Sequence, residues 1–220
     1  MQAGSFLLAA LLAVQAATGA TISYTGALAS PEDASTQITV TLASAGSLSL
    51  QTWGFGGGTN AALALIPAGG FDPFVGLFSG TGAGAAFIDG TSDDLSNFPG
   101  NQGCPPAGTV TIGGSPVCGD VAMSFSLPAG TYTVLLTDGA YIPNAVFETN
   151  GMLGDGFTDL TSGFQTCDNA GNCVPDTANW ALDITTPGSG GTVPEPGGLW
   201  MCGIGAVLWV AASRRRRTKF

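Results

Sequence analysis

Short segments in which polar and apolar residues alternate fill the middle of this chain. Residues 37–42 and residues 47–53 both follow a period of two, which is the pattern of a strand with one buried face. Further strands are predicted at residues 74–78, 85–88, 121–127, 132–137 and 179–185. Pro128-Ala129-Gly130 separates two of them as a tight turn. Frequent glycines and the lack of a helical period argue against long helices, so the pattern predicts an all-β domain built as a two-sheet β-sandwich.

Two segments without this alternation, residues 97–119 and 147–176, are predicted to be long loops on the sandwich. They contain four of the five cysteines, at Cys104, Cys118, Cys167 and Cys173. Four cysteines allow three pairings, and sequence proximity favours Cys104 with Cys118 and Cys167 with Cys173. Such disulfides form in an oxidising compartment. A thiolate metal site is disfavoured, because the spacings are not Cys-x2-Cys and the chain has 0 histidines.

The N-terminal segment has the layout of a signal peptide. Residues 6–17 form an apolar run, and Thr18-Gly19-Ala20 ends in small residues, as signal peptidase sites do. We therefore predict a signal helix in residues 1–20, cleavage between Ala20 and Thr21, and an exported domain over residues 21–187. One feature departs from the usual pattern, since the first five residues contain no Lys or Arg.

The C-terminal segment predicts a short transmembrane helix. Residues 197–212 are apolar but fewer than the roughly 20 residues that an α-helix needs to cross a bilayer core. Arg214, Arg215, Arg216 and Arg217 follow directly and should hold the C-terminus in the cytoplasm, with everything before Val193 outside. Cys202 lies in the apolar segment and is interpreted as an inert small residue, with lipidation as the alternative.

The charge distribution separates this tail from the rest of the chain. All 5 Lys and Arg residues lie at Arg214 to Arg217 and Lys219. Of the 15 acidic residues only Glu195 belongs to the tail, which leaves 14 carboxylates and no basic side chain in residues 21–193. Each of those carboxylates must be solvated, accept hydrogen bonds from neutral donors, or bind a cation. Nucleic acid is excluded as a partner, because its binding relies on Lys and Arg at the phosphates.

The composition also restricts catalysis, and we predict that the protein is not an enzyme and has no catalytic residues. Without His or Lys in the exported region, a Ser-His-Asp triad, a Cys-His pair and a Schiff-base lysine are all impossible. The adjacent carboxylates Glu32-Asp33 and Asp93-Asp94 are the candidates for an acid and a base in glycoside hydrolysis. Adjacent side chains usually point apart, so an extracellular glycan-active hydrolase is the less favoured alternative.

Calcium is the best small-ligand hypothesis, although no cofactor is required by the pattern. Asp89, Asp93, Asp94 and Asn97 cluster in one predicted loop, and Asp155 and Asp159 lie in another. Calcium prefers six to eight oxygen ligands, which glycine-rich loops with aspartates can supply. The alternative function that follows is a calcium-dependent, carbohydrate-binding adhesin, although the aromatic residues near Trp53 and Phe71 are interpreted mainly as core.

The tail resembles a known sorting signal. Val193-Pro194-Glu195-Pro196, the short apolar segment and the arginine cluster together resemble the PEP-CTERM signal of bacterial exosortase substrates, over residues 193–217 after a Gly/Ser/Thr linker at residues 188–192. The resemblance implies export, a transient inner-membrane intermediate, processing by exosortase near the motif, and delivery to the cell surface or extracellular matrix. A plain tail anchor is the alternative.

The middle of the chain carries a second resemblance. Residues 125–136 are similar to the core hairpin of bacterial pre-peptidase C-terminal sandwiches, and residues 53–60, 70–73 and 179–184 resemble a subgroup of PEP-CTERM proteins built on that sandwich. The resemblance implies a jelly-roll-like module used for adhesion, spacing or contact with extracellular polysaccharide.

Overall fold

Antiparallel β-strands dominate the described part of the protein. The structure is a computed structural model, and it describes residues 19–92, 109–112, 115–168 and 170–188, with the backbone alone at residues 109–112 and 115–118. The rest of the predicted signal peptide and the whole predicted sorting tail lie outside these ranges. Inside them, every helix is too short or too polar to cross a membrane.

Sixteen strands lie in the described residues. In chain order they are β1 (Ala20–Ala27), β2 (Gln37–Leu42), β3 (Gly46–Thr52), β4 (Gly58–Thr59), β5 (Leu65–Ile66), β6 (Pro73–Ser79), β7 (Ala86–Thr91), β8 (Thr109–Ile112), β9 (Ser115–Cys118), β10 (Ala122–Leu127), β11 (Gly130–Asp138), β12 (Tyr141–Pro143), β13 (Phe157–Asp159), β14 (Gln165–Cys167), β15 (Cys173–Pro175) and β16 (Asn179–Thr186). Two short 3-10 helices, Asn144–Phe147 and Leu153–Asp155, separate β12 from β13.

Half of these strands form two four-stranded antiparallel sheets. Sheet A has the order β1-β16-β3-β10, and sheet B has the order β2-β11-β6-β7. The other strands pair as the hairpins β4-β5, β8-β9, β12-β13 and β14-β15. β1 pairs with β16 in one unbroken register from Ala20–Thr186 to Ala27–Asn179. The first and last strands of the described fold are therefore neighbours at one side of sheet A.

The main core lies between the two sheets. Sheet A contributes Leu48, Leu50 and Leu182, and sheet B contributes Val75 and Leu136, all 2 % exposed or less. These residues alternate along their strands with side chains that face away from the core, which is the arrangement that a period of two produces. The predicted alternation therefore identifies the faces that the two sheets turn toward each other.

A second apolar cluster covers the other face of sheet B. Phe74, Phe78 and Leu135 contact Val146 and Leu153 from the segment that carries the two 3-10 helices. β6 is consequently buried on both faces along nearly its whole length, with only its last residue exposed. This explains why β6 has a continuous apolar run rather than an alternating one.

The seven strands predicted from the sequence are confirmed as β2, β3, β6, β7, β10, β11 and β16, with ends shifted by a few residues. β1 is an addition, since the alternation did not predict it. The prediction of a continuous loop at residues 147–176 is wrong, because it contains β13, β14 and β15, and residues 97–119 contain the hairpin β8-β9. Strands of three or four residues are too short to show a period, and only pairing with a neighbour defines them.

Truncation of Leu182 should destabilise the sandwich strongly. This side chain is fully buried between the sheets, so Leu182→Ala should lower the free energy of unfolding by about 2–5 kcal/mol. Ser126→Ala, at an exposed position of β10, should change it by less than about 0.5 kcal/mol. Urea unfolding followed by tryptophan fluorescence measures both, and similar small effects of the two variants would contradict this core.

Candidate functional site

A loop between β3 and β6 is held in place by hydrogen bonds to two buried carboxylates. We call residues 53–64 the glycine loop, because it contains Gly54, Gly56, Gly57 and Gly58. The loop lies against the face of sheet A that points away from the main core, since its contact Asp183 alternates along β16 with the core residues Leu182 and Ile184. Two buried carboxylates, Asp120 and Asp183, hold it there.

Asp120 holds the start of the glycine loop. Its Oδ1 accepts hydrogen bonds from the Thr52 hydroxyl at 2.9 Å and from the Phe55 N–H at 3.2 Å, and its Oδ2 accepts one from the Gly56 N–H at 2.7 Å. The carboxylate is 3 % exposed. Burial raises the pKa of Asp120 above its ordinary value, while the donors from Gly56, Thr52 and Phe55 act in the opposite direction. The fold thus keeps a buried acid in place with neutral donors.

Asp183 holds both sides of the loop from the middle of β16. Its Oδ2 accepts hydrogen bonds from the indole Nε1–H of Trp53 at 2.8 Å and from the Ala61 N–H at 2.7 Å. Its Oδ1 accepts the Ser23 hydroxyl of β1 at 2.5 Å, and the same hydroxyl oxygen accepts the Ala62 N–H at 3.1 Å. Asp183 is 6 % exposed, so this one side chain joins β1, β16 and the glycine loop.

Two exposed leucines lie at the far end of the loop, Leu63 inside it and Leu65 directly after it at the start of β5. The Asn60 side-chain Oδ1 accepts the Ala64 N–H at 2.8 Å, which closes a tight turn around Leu63. Leu63 has φ of +62°, a left-handed conformation that costs a non-glycine residue about 1–2 kcal/mol. Leu63 is 85 % exposed and Leu65 is 82 % exposed. The arrangement therefore displays an ordered apolar tip, which is suited to contact with another surface.

The aromatic residues considered for sugar stacking are mostly core residues, which agrees with the interpretation of the sequence. Phe55, Phe71 and Phe74 are all 2 % exposed or less. Trp53 is partly exposed, and its indole N–H is committed to Asp183. A mainly apolar cavity of about 300 Å³ lies beside the loop, lined by residues that include Gly54, Ile66, Pro67 and Trp180. The lining of this cavity is mainly apolar rather than an array of hydrogen-bond donors.

The aspartates predicted to bind calcium lie in separate local structures. Asp155 Oδ2 accepts the Met152 N–H at 2.5 Å, and Asp159 Oδ1 accepts the Thr161 hydroxyl at 2.7 Å. The Thr161 hydroxyl lowers the pKa of Asp159, while burial raises the pKa of Asp89 on β7. Among the described residues, no three His, Cys, Asp or Glu side chains form a group that could hold a metal. Asp93 and Asp94 lie outside those residues, so the calcium site stays a prediction.

The carboxylates considered for catalysis are distributed in a similar way. Asp33 accepts the Ala29 and Ser35 N–H groups at 2.8 Å, and the Ala29 contact is the main cause that lowers its pKa. Glu32 accepts the Thr161 hydroxyl at 3.0 Å. A polar cavity of about 250 Å³ has both Asp72 and Asp138 in its lining. This pair was not predicted, because the two residues are far apart in sequence and meet only where β6 and β11 pair.

One predicted disulfide is present in the structure. Cys167 and Cys173 are bonded and join β14 to β15, with a Cα–Cα distance of 4.0 Å. Cys104 and the side chain of Cys118 lie outside the described residues, so their pairing stays a prediction. The predicted cleavage residues Ala20 and Thr21 are the exposed first residues of β1. Val193, Pro194, Glu195, Pro196 and the arginines at 214–217 lie outside the described residues.

Asp120 and Asp183 were missed as candidates. Only Asp183 has an identifiable signal in the sequence, because it is a carboxylate inside a predicted strand of a region that has no Lys or Arg. A strand carboxylate in such a region must find several neutral donors, and a glycine-rich loop with free N–H groups is the natural source. Asp120 lies just after a predicted loop and gives no comparable signal.

Comparison with known proteins identifies no relative: no protein-family model, curated sequence or solved structure matches this chain.

The buried acid Asp120 should make stability depend on pH in a defined direction. A carboxylate with a raised folded-state pKa stabilises most when protonated, fully below its ordinary pKa of 3.8, and this contribution is lost as the pH rises through the folded value. The stability of the unmodified protein relative to Asp120→Asn should therefore be greater at about pH 3 than at about pH 7. Urea unfolding at both pH values measures the difference.

Asp33→Asn serves as the matched comparison. Hydrogen bonds lower the pKa of Asp33, so its contribution is present above 3.8 and is lost as the pH falls through the folded value. The relative stability should then change with the opposite sign. A change of the same sign for the two variants would contradict the assigned environments.

Leu63→Asn should stabilise the protein. Asparagine tolerates the left-handed conformation, and the leucine side chain is too exposed to contribute packing, so the free energy of unfolding should rise by about 1 kcal/mol. Leu65→Asn, at an equally exposed site without positive φ, should give no gain. Thermal or urea unfolding compares the two, and a loss of stability in Leu63→Asn would show that the leucine packs against something.

Proposed function

We propose that this protein is an exported, non-enzymatic structural or adhesive β-sandwich protein, targeted to the cell surface or extracellular matrix. In this proposal signal peptidase cleaves between Ala20 and Thr21, and exosortase processes the chain at Val193-Pro194-Glu195-Pro196. The inner membrane holds the chain only transiently. The jelly-roll-like character implied by the resemblance belongs to the same proposal.

The main observation in its favour is the match between the described fold and the interval between the two predicted signals. The strand pairing begins at Ala20–Thr186, so β1 starts at the predicted cleavage site and β16 ends shortly before the predicted motif. Removal of residues 1–20 and of the tail would leave the whole two-sheet structure except the first residue of β1. Every other residue of the two sheets lies between the two predicted signals.

Two further observations support export and a structural role. The Cys167–Cys173 disulfide suits an oxidising compartment outside the cytoplasm. The buried carboxylates Asp120 and Asp183 are engaged by donors of the glycine loop, which is a positioning role rather than a catalytic one. What this positioning achieves is the display of Leu63 and Leu65, which supports an adhesive contact at the loop tip.

The calcium-dependent, carbohydrate-binding adhesin is the second candidate, favoured by the cavity that Asp72 and Asp138 share. With no Lys or Arg in residues 21–193, a cation is the available positive charge for such a cavity. Calorimetric titration with calcium should then give saturable heat that Asp138→Asn reduces. No heat at about millimolar calcium, the range of weak extracellular sites, would retire this candidate.

The sorting proposal is tested by the intact mass of the protein from cell envelope and medium. In cells with exosortase we expect a species that begins at Thr21 and has lost the arginines at 214–217; in cells lacking exosortase the arginines should be retained. Glu195→Ala should also retain them, because it alters the motif. Glu148→Ala removes an exposed carboxylate of the sandwich instead and should be processed normally.

Retention of the arginines in both strains would overturn the exosortase step and favour a plain tail anchor. Retention of residues 1–20 would overturn export by cleavage. Normal processing of Glu195→Ala would show that the glutamate of the motif is not recognised.

A further inference from the structure

β1 is an edge strand with an open side. It is the first strand of sheet A and pairs with β16 on one side, and among the described residues no strand pairs with its other side. Six of its eight residues are exposed, and Ser23 and Tyr24 are partly exposed. In an antiparallel strand, alternate residues direct both backbone groups to the same side, so about half of the N–H and C=O groups of β1 point outward.

β1 also lacks the features that normally protect a sheet edge. It contains no charged residue and no proline, and its register with β16 has no bulge. Natural edges are usually blocked by such charges, prolines or bulges, because an open edge pairs with other chains. β7, at one edge of sheet B, shows the contrast: its register has a bulge, it carries Asp89, and its Phe87 N–H donates to the Gly151 carbonyl at 2.9 Å.

The other edge of sheet B, β2, is also free of charge but differs in what it exposes. Its apolar residues Val40 and Leu42 are buried, Ile38 is partly buried against the main core, and the exposed positions are Gln37, Thr39 and Thr41. The second edge of sheet A, β10, is similar, because Met123 and Leu127 are buried and Phe125 is partly buried. In β1 the apolar Ile22 is 54 % exposed, so β1 combines open backbone groups with an exposed large apolar side chain, which β2 and β10 lack.

The sequence of β1 is nearly symmetric about Ser23. Thr21 and Thr25 lie two residues to either side, and Ile22 and Tyr24 lie one residue to either side. We infer that two copies of this protein pair through β1, antiparallel about a two-fold axis at Ser23. Thr21 then lies opposite Thr25 of the second copy, and Ile22 lies opposite Tyr24 of the second copy. Threonine pairs and aromatic to β-branched pairs are both favourable across antiparallel strands.

The pairing joins two copies of sheet A into one eight-stranded sheet around an isologous contact. It covers Ile22 and Tyr24 on one face and aligns hydroxyl groups on the other. A second copy is the favoured occupant because an identical strand, related by the two-fold axis, forms both matched pairs twice over. Asp183 of β16 is the carboxylate that lies opposite Ser23 within sheet A, and it already accepts hydrogen bonds from Ser23, Trp53 and Ala61.

Charge opposes the pairing at long range. Each exported region carries 14 carboxylates and no basic residue, so the copies repel each other at low ionic strength. Screening shortens that repulsion to about 10 Å at 0.1 M salt. Association should therefore strengthen as salt is added, which is the opposite of the behaviour of an interface built on ion pairs. This inference goes beyond the proposed function and does not require processing of the tail.

Hydrogen exchange measured by mass spectrometry tests the location. The chain without residues 1–20 is not assumed to fold, so the full chain is used, in detergent with micelles in excess over protein. Peptides that cover β1 should exchange more slowly as protein concentration rises, and more so at about 0.5 M than at about 0.02 M sodium chloride because of screening. Peptides that cover β2 and β10, the other charge-free edges, should not change. Protection of β2 or β10 instead of β1, or of none of the three, would overturn the inference.

Sedimentation equilibrium of edge variants tests the contact itself. Ile22→Lys places a charge in the paired edge and should weaken dimerisation by about tenfold or more. Leu160→Lys makes the same change in charge at a 66 % exposed leucine outside sheet A and should leave dimerisation unchanged. Thr25→Lys, on the opposite face of β1, gives the same test if Ile22→Lys fails to fold. Equal dimerisation of the β1 variants and Leu160→Lys would overturn the inference, as would an unmodified protein that stays monomeric at high salt.

Discussion

The structure depends on one constraint: residues 21–193 contain fourteen carboxylates and not a single Lys or Arg. Salt bridges are therefore unavailable, and every carboxylate that leaves water must be compensated by neutral donors or a cation. Asp120 and Asp183 show the solution, because each accepts three hydrogen bonds from hydroxyl, indole or backbone N–H groups. Several such bonds to one charged group are stronger than the same number between neutral groups.

This solution links the glycine loop to the sandwich. Backbone N–H groups can converge on a carboxylate only where the chain curves tightly, and the glycines of the loop permit that curvature; Gly57, for example, has φ of +72°. The loop is thus held at Phe55 and Gly56 by one acid and at Ala61 by the other. The strained Leu63 at its tip is tolerated because the surrounding hydrogen bonds determine the turn.

The same absence of basic residues shapes the outer surface. Proteins often block edge strands with lysine, and residues 21–193 contain none. β7 uses a bulge and a neighbouring segment, and β2 and β10 expose no large apolar side chain, but β1 exposes Ile22 and has no bulge. In a strongly acidic protein, general charge repulsion keeps copies apart at low ionic strength, so protection of the edge depends on salt rather than on local side chains.

Sequence alone determined the fold class, the seven main strands and the Cys167–Cys173 pairing. Alternation reports which face of a strand is buried, and Cys167 and Cys173 are so close in sequence that proximity favours their pairing. The tail and signal predictions also follow from sequence alone, because they depend on local apolar length and charge rather than on folding. These features are encoded within short stretches of chain.

Only the tertiary structure decided which strands are neighbours and which carboxylates are buried. β1 is a strand because β16, more than 150 residues later, pairs with it, and no local pattern specifies such a partner. Asp72 and Asp138 line one cavity, and Asp120 meets Gly56, although each pair is also far apart in sequence. Local periodicity records which face of each strand is buried. Contacts between distant residues depend instead on the packing of the whole chain. For this reason only the fold identified Asp120 and Asp183 as the acids that support the glycine loop.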